Sequence, residues 1–160
     1  MKFEIPESLK AEHEELHEEL AGAMKAGGKV GSAAKKVAEV LHPHFAKEEE
    51  YALPPLGLLR VVATGKVDLE MGEVLDMTNK LKSELNQMLE EHKAIVASLE
   101  SLVKAARKEN KMEYARFAEK LKMHALNEEE VLYPASLLIG EYVGMRVEHL
   151  QYEGHSAGCC

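Results

Sequence analysis

Four stretches of this chain repeat apolar residues every three or four positions, and in each stretch one place on the apolar stripe is held by a histidine. The stripes read Leu9, His13, Leu16, Leu20, Met24; then Val37, Leu41, His44, Glu48. The third runs Leu81, Leu85, Met88, His92, Ile95, Leu99, Val103, and the fourth Tyr114, Phe117, Leu121, His124, Glu128, Val131. This period is that of an α-helix with one buried face. Such helices gain their stability by packing that face, so four of them on one chain are expected to pack on one another. Aromatic residues are only 5% and Trp is absent, while Ala, Leu, Glu, Lys and Met abound, a composition that favours helix over sheet. The fold class read from this is all-α: an up-down-up-down four-helix bundle with a short connecting helix between the second and third long helices and a short C-terminal helix. At 160 residues one core is expected. The bundle is assigned to residues 1–150 and a flexible tail to residues 151–160.

Local signals set the expected boundaries. Pro6 suits the opening of the first helix, and Gly27-Gly28 break it. Ser32 is expected to cap the second helix, Pro43 to kink it, and Pro54-Pro55 to stop it. An apolar run from Leu56 to Ala63 reads as the connecting helix, after which Asp68 caps the long third helix. Asn110 with Glu113 resembles a capping box for the fourth, which is expected to end at Tyr133-Pro134. Leu137 to Val147 reads as the short C-terminal helix.

The net charge of −8 argues against a nucleic-acid partner, which needs clustered Lys and Arg, and against anionic membrane surfaces. No apolar stretch approaches a membrane span, and the start, Met1 to Pro6, has no apolar secretory region. The cytoplasm is the expected compartment. The only cysteines are Cys159 and Cys160, so there is no internal disulfide framework.

Histidine and glutamate on an apolar stripe point inward, where an unpartnered polar group costs several kcal/mol. A metal centre is one partner that serves all of them at once. In His44-Phe45-Ala46-Lys47-Glu48 and His124-Ala125-Leu126-Asn127-Glu128 the two side chains are four apart, on one helix face and about 6 Å apart along the axis. Counting from the loops at 1.5 Å per residue puts His13 and His44 at one level, roughly 20 Å from the first turn, with His92 and His124 within a turn of each other. The six candidate ligands are therefore His13, His44, Glu48, His92, His124 and Glu128. His42 lies roughly 160° around the helix from His44 and faces outward. Glu49, Glu50, Glu129 and Glu130 read as solvated faces, with Glu129 and Glu91 also placed to orient a histidine from outside the ligand set. Met71, Met88 and Met123 read as core fillers, and Tyr51, Tyr114 and Tyr133 as packing residues, with hydrogen-bond donation near the site as the alternative role for the tyrosines. Imidazole and carboxylate donors without thiolate suit iron or manganese, and six protein ligands exceed what tetrahedral zinc needs.

The chain also repeats itself. His44 to Pro54 laid on His124 to Pro134 keeps the histidine, three successive glutamates and the closing proline. With His13, His44-x-x-x-Glu48, Glu91-His92 and His124-x-x-x-Glu128-Glu129 followed by Leu132-Tyr133-Pro134, the chain resembles the hemerythrin-like, or HHE cation-binding, family over about residues 8 to 135. That resemblance implies two non-heme iron ions, carboxylate-bridged by Glu48 and Glu128 and joined by an oxo, hydroxo or water bridge. By analogy His13 and His44 hold one ion and His92 and His124 the other. Oxygen-carrying members have a further histidine one turn before the third-helix ligand, where this chain has Met88. His17 is the nearest substitute, one turn away from the expected metal level.

The function implied is binding or sensing of O2, NO or peroxide. An enzyme using the same centre, with peroxidase, catalase-like or NO-reducing activity, is the alternative, and an open coordination position favours it. Ferritin-like iron oxidation fits less well, since it uses Glu-x-x-His pairs and the histidine of Glu39 with His42 faces outward. Iron storage or donation is a third reading. The chain is expected to act as a monomer or homodimer, without nucleic acid or membrane.

Overall fold

The computed structural model describes residues 3–156. It is all-helical, with no strand among the described residues. Helix α1 spans Glu7–Lys25 and α2 Gly28–Lys47; a π-helical turn, Glu48–Ala52, continues α2. A 3-10 turn, Pro54–Leu58, and the one-turn helix α3, Leu59–Val62, lead to a second 3-10 turn, Leu69–Glu73, and the 35-residue α4, Val74–Lys108. Helix α5, Met112–Asn127, passes through another π-helical turn, Glu128–Leu132, into α6, Tyr133–Ser156. No helix among the described residues is long and apolar enough to cross a membrane.

The two tight turns are tied to each other. Gly27 and Gly28 take φ values of 68° and 59°, and Asn110 takes 55°, so both reversals use the left-handed region that glycine, and asparagine more than most residues, tolerates. Across them, Glu109 accepts a bond from the Lys29 backbone N–H at 2.6 Å, and Lys111 Nζ reaches the Ala26 carbonyl at 3.0 Å. This explains two departures from the expected caps. Helix α2 starts at Gly28 because a carboxylate from the α4–α5 turn satisfies its first N–H groups, leaving Ser32 inside the helix with its Oγ on the Gly28 carbonyl. Asn110 ends α4 with its positive φ, and α5 has no side-chain cap. Asp68 does cap, but it caps the 3-10 turn Leu69–Glu73 that leads into α4, accepting from the Met71 N–H at 3.1 Å, and α4 itself has no side-chain cap.

The proline signals at the repeat differ most from expectation. Pro134 does not stop a helix; α6 runs on for 24 residues and is not short. Each π turn closes with an i−5 bond, Leu53 N–H to the Glu48 carbonyl and Tyr133 N–H to the Glu128 carbonyl, one residue before Pro54 and Pro134. The wider turn accepts a residue that lacks an N–H and whose ring crowds the carbonyl four back. After it, Ile139, Val143 and Val147 form a buried stripe against Met71, Val74 and Val62. The helix passes position 151, where the tail was expected to begin; the side chains from residue 154 on, Cys159 and Cys160 included, lie outside the described residues.

The interior falls into apolar clusters on either side of a polar layer. Leu16, Leu20, Val37, Leu41, Leu99 and Leu121 belong to the cluster on the side of the tight turns. Tyr51, Leu81, Met88 and Tyr133 lie on the other side, near the π turns. Met123, expected in the core, is 63% exposed.

Candidate metal centre

All six residues singled out by the stripes are buried, none more than 3% exposed, and they meet in the bundle interior. His13 comes from α1, His44 from α2, His92 from α4 and His124 from α5, while Glu48 and Glu128 open the two π turns. Ligand-capable atoms fall into two groups, His13, Glu48, His124, Glu128 and His44, Glu48, His92, Glu128, each within 4.8 Å. Both carboxylates belong to both groups. Glu48 turns Oε1 to His44 Nε2 at 3.1 Å and to His92 Nε2 at 3.9 Å, and Oε2 to His13 Nε2 at 3.7 Å. Glu128 turns Oε1 to His124 at 2.8 Å and His13 at 3.6 Å, and Oε2 to His92 at 3.3 Å.

This grouping corrects the expected pairing. His13 sits with His124, their Nε2 atoms 3.2 Å apart, and His44 with His92, ring centroids 4.5 Å apart. The pairs cross from one helical hairpin to the other. Counting residues from a loop gives the height of a side chain in the bundle but not which neighbouring helix it faces.

A second ring of carboxylates holds the outer nitrogens. Glu49 bonds His13 Nδ1 at 3.3 Å, Glu91 bonds His44 Nδ1 at 2.8 Å and Glu129 bonds His92 Nδ1 at 2.8 Å, while Glu12 comes within 3.1 Å of His124 Nδ1 as an ion pair without a hydrogen bond. Every one is the chain neighbour of an inner residue, Glu12 and Glu91 preceding His13 and His92, and Glu49 and Glu129 following Glu48 and Glu128. Each helix so steadies the histidine of the next, in the closed order α1, α5, α4, α2. Glu91 is itself gripped by Lys47 at 2.5 Å and Gln87 at 3.0 Å. A carboxylate on Nδ1 keeps the proton there and leaves the Nε2 lone pair facing inward, as metal-binding histidines require. Glu12 and Glu49 were not expected here. Their signal was adjacency to a ligand, which looks like an ordinary solvated position because Glu49 is exposed and Glu12 partly so.

The donor set fits a cation. His13 Nε2 and His124 Nε2 face each other across 3.2 Å, a separation that needs a proton or a cation between the two nitrogens. Glu48 Oε2 and Glu128 Oε1 are buried with no hydrogen-bond partner. In the chain alone, burial opposes charge on the imidazoles, but the hydrogen bonds and charges of the carboxylates prevail. His92, through Glu128 and Glu48, is raised to about 10 and His124, through Glu128, to about 9. Glu128 is held well below the usual range: burial opposes this, but bonds from His124, His13 and His92 outweigh it.

Tyr133, read from sequence as packing, belongs to the centre. It is fully buried, donates to Glu48 Oε1, and its hydroxyl lies 3.4 Å from His44 Nε2 and 3.3 Å from His92 Nε2. Burial, and then the Glu48 and Glu128 charges, hold its phenol above the ordinary range. His17 stays out: its ring faces His42 and Phe45, 5.5 and 5.0 Å away. Met88 is fully buried, with the Tyr51 hydroxyl 3.5 Å from its sulfur. Two clefts approach the centre from outside. One of about 500 Å³ is bordered by Ile5, His13, His17 and Glu49, and one of about 580 Å³ by His92, Val96, Leu126 and Glu129.

A family model described as the hemerythrin HHE cation binding domain matches residues 4–135. No curated protein and no solved structure matches the chain.

Proposed function

Since this chain belongs to the hemerythrin HHE cation-binding domain family, we propose that it is a non-heme diiron protein that binds or senses O2, NO or peroxide. His13 and His124 hold one ion and His44 and His92 the other, with Glu48 and Glu128 bridging. The observation that carries this reading is that each buried carboxylate turns one oxygen toward each histidine pair. Imidazole and carboxylate donors favour iron or manganese, and iron when bound supplies the redox and Lewis-acid chemistry by which such small molecules are captured. The chain's own part is to fix the four Nε2 lone pairs through Glu12, Glu49, Glu91 and Glu129 and to exclude water from the layer.

The bundle is read as up-down-up-down over residues 1–150, with residues 151–160 as a tail, in a cytoplasmic monomer or homodimer. Neither nucleic acid nor membrane is a partner, in keeping with the net charge of −8.

The deciding measurement is metal content with the visible spectrum of protein reduced without air and then exposed to it. About two irons per chain and new bands on aeration are expected. Protein that stays folded, takes up no iron and holds a single zinc overturns the reading. A buried Met88 where a further histidine stands in oxygen carriers favours a second reading, a diiron enzyme. Repeated consumption of peroxide or NO by catalytic amounts of protein marks the enzyme, and a single stoichiometric reaction marks the binder.

A further inference from the structure

The phenol of Tyr133 is spaced from its neighbours as the candidate ligands are spaced from one another. Donor atoms about 2.1 Å from a common ion stand about 3 Å apart when they lie at right angles around it. Within one group, His44 Nε2 and Glu48 Oε1 are 3.1 Å apart, and His92 Nε2 and Glu128 Oε2 3.3 Å. The Tyr133 hydroxyl touches the same atoms, at 3.4 Å from His44 Nε2 and 3.3 Å from His92 Nε2, and donates to Glu48 Oε1. The other tyrosine of this layer points elsewhere, its hydroxyl on Glu84 Oε2 at 2.8 Å and on Met88 Sδ. In the internal repeat the residue matching Tyr133 is Leu53, a buried apolar side chain, so the repeat brings the His13–His124 pair no phenol of its own.

We propose that Tyr133 is a further ligand of the centre, its phenolic oxygen binding the ion held by His44 and His92. The inference rests on the diiron reading. On ligation the oxygen exchanges its proton for the cation, the proton passing to solvent, with no change of oxidation state. The two ions are then unlike: the His44–His92 ion has one more side-chain donor, and small ligands bind at the His13–His124 ion.

The test loads the wild-type chain and the variants Tyr133→Phe and Tyr51→Phe with iron, oxidises them to the ferric state, and records metal content, visible absorption and resonance Raman spectra. A phenolate-to-ferric band with tyrosine ring modes is expected in the wild type and in Tyr51→Phe, and its loss in Tyr133→Phe that retains iron and helical circular dichroism. Wild-type protein grown on ring-deuterated tyrosine gives the same answer without a variant, since phenolate modes then shift. Iron-loaded wild type with no such band or modes overturns the proposal, as does a band that survives in Tyr133→Phe. Wild type that takes up no iron overturns the diiron reading and this one with it; metal content separates that failure from the spectroscopic one.

Discussion

Along α4, a single turn separates two kinds of interior. Ile95 and Leu99 lie in an apolar cluster with Leu16, Leu20 and Leu121, while His92 lies among carboxylates and imidazoles with Glu48 and Glu128. The first region is stabilised by removing its own side chains from water. The second gains nothing from burial alone; it is held by hydrogen bonds, protons and, on the reading above, metal ions. One helix thus carries a part that folds for its own sake and a part that is arranged for a guest.

The largest expected effect sharpens that contrast. Glu128→Ala removes a residue common to both groups and is expected to abolish binding of both ions, whereas His13→Ala empties one; metal analysis after reconstitution distinguishes the two. In the apolar region, Leu99→Ala is expected to cost about 2–5 kcal/mol by denaturant titration, equally with and without metal, because the cavity it leaves does not involve the centre. A cost that appears only in the metal-loaded form breaks the separation.

Protons come next. His92 and His124 have folded values of about 10 and about 9, above their ordinary 6.5. A raised value contributes stability that is complete below 6.5 and is lost as pH rises through 9 to 10. The metal-free protein is therefore expected to melt several degrees lower at pH 10 than at pH 7, and iron-loaded protein to show a flatter curve, since cations replace those protons. On the acid side Glu128, held below its ordinary value, contributes stability that is lost as pH falls below 4.5. A metal-free Tm that rises between pH 7 and 10 contradicts the assignment.

The smallest effect belongs to the outer ring. Glu12→Gln keeps the shape but not the charge beside His124 Nδ1, and metal affinity is expected to fall roughly 10- to 100-fold. Metal-free stability is expected to change little, because Glu12 is about a third exposed. Competition with a chelator measures the first quantity and thermal melting the second.

Much of this is legible in the sequence. A histidine on an apolar stripe is conspicuous because the period demands a hydrophobe there, so His13, His44, His92 and His124 and the glutamates four residues on declare themselves. The caps were legible only where they are local: Asp68 bonds three residues ahead, but α2 is capped by Glu109 from the far turn, and Ser32 was a false signal. Pro134 misled for a similar reason, since a π turn just before it lets the helix continue.

The sequence by itself determined the helical class, the inward residues and their heights, because periodicity and rise per residue act along one chain. Tertiary structure decided which histidine lies beside which, that Glu12 and Glu49 approach histidines on other helices, and that the Tyr133 hydroxyl stands among the inner His and Glu atoms. Those relations run around the bundle axis, between helices distant in sequence, and no spacing along the chain encodes the angle at which one helix faces another.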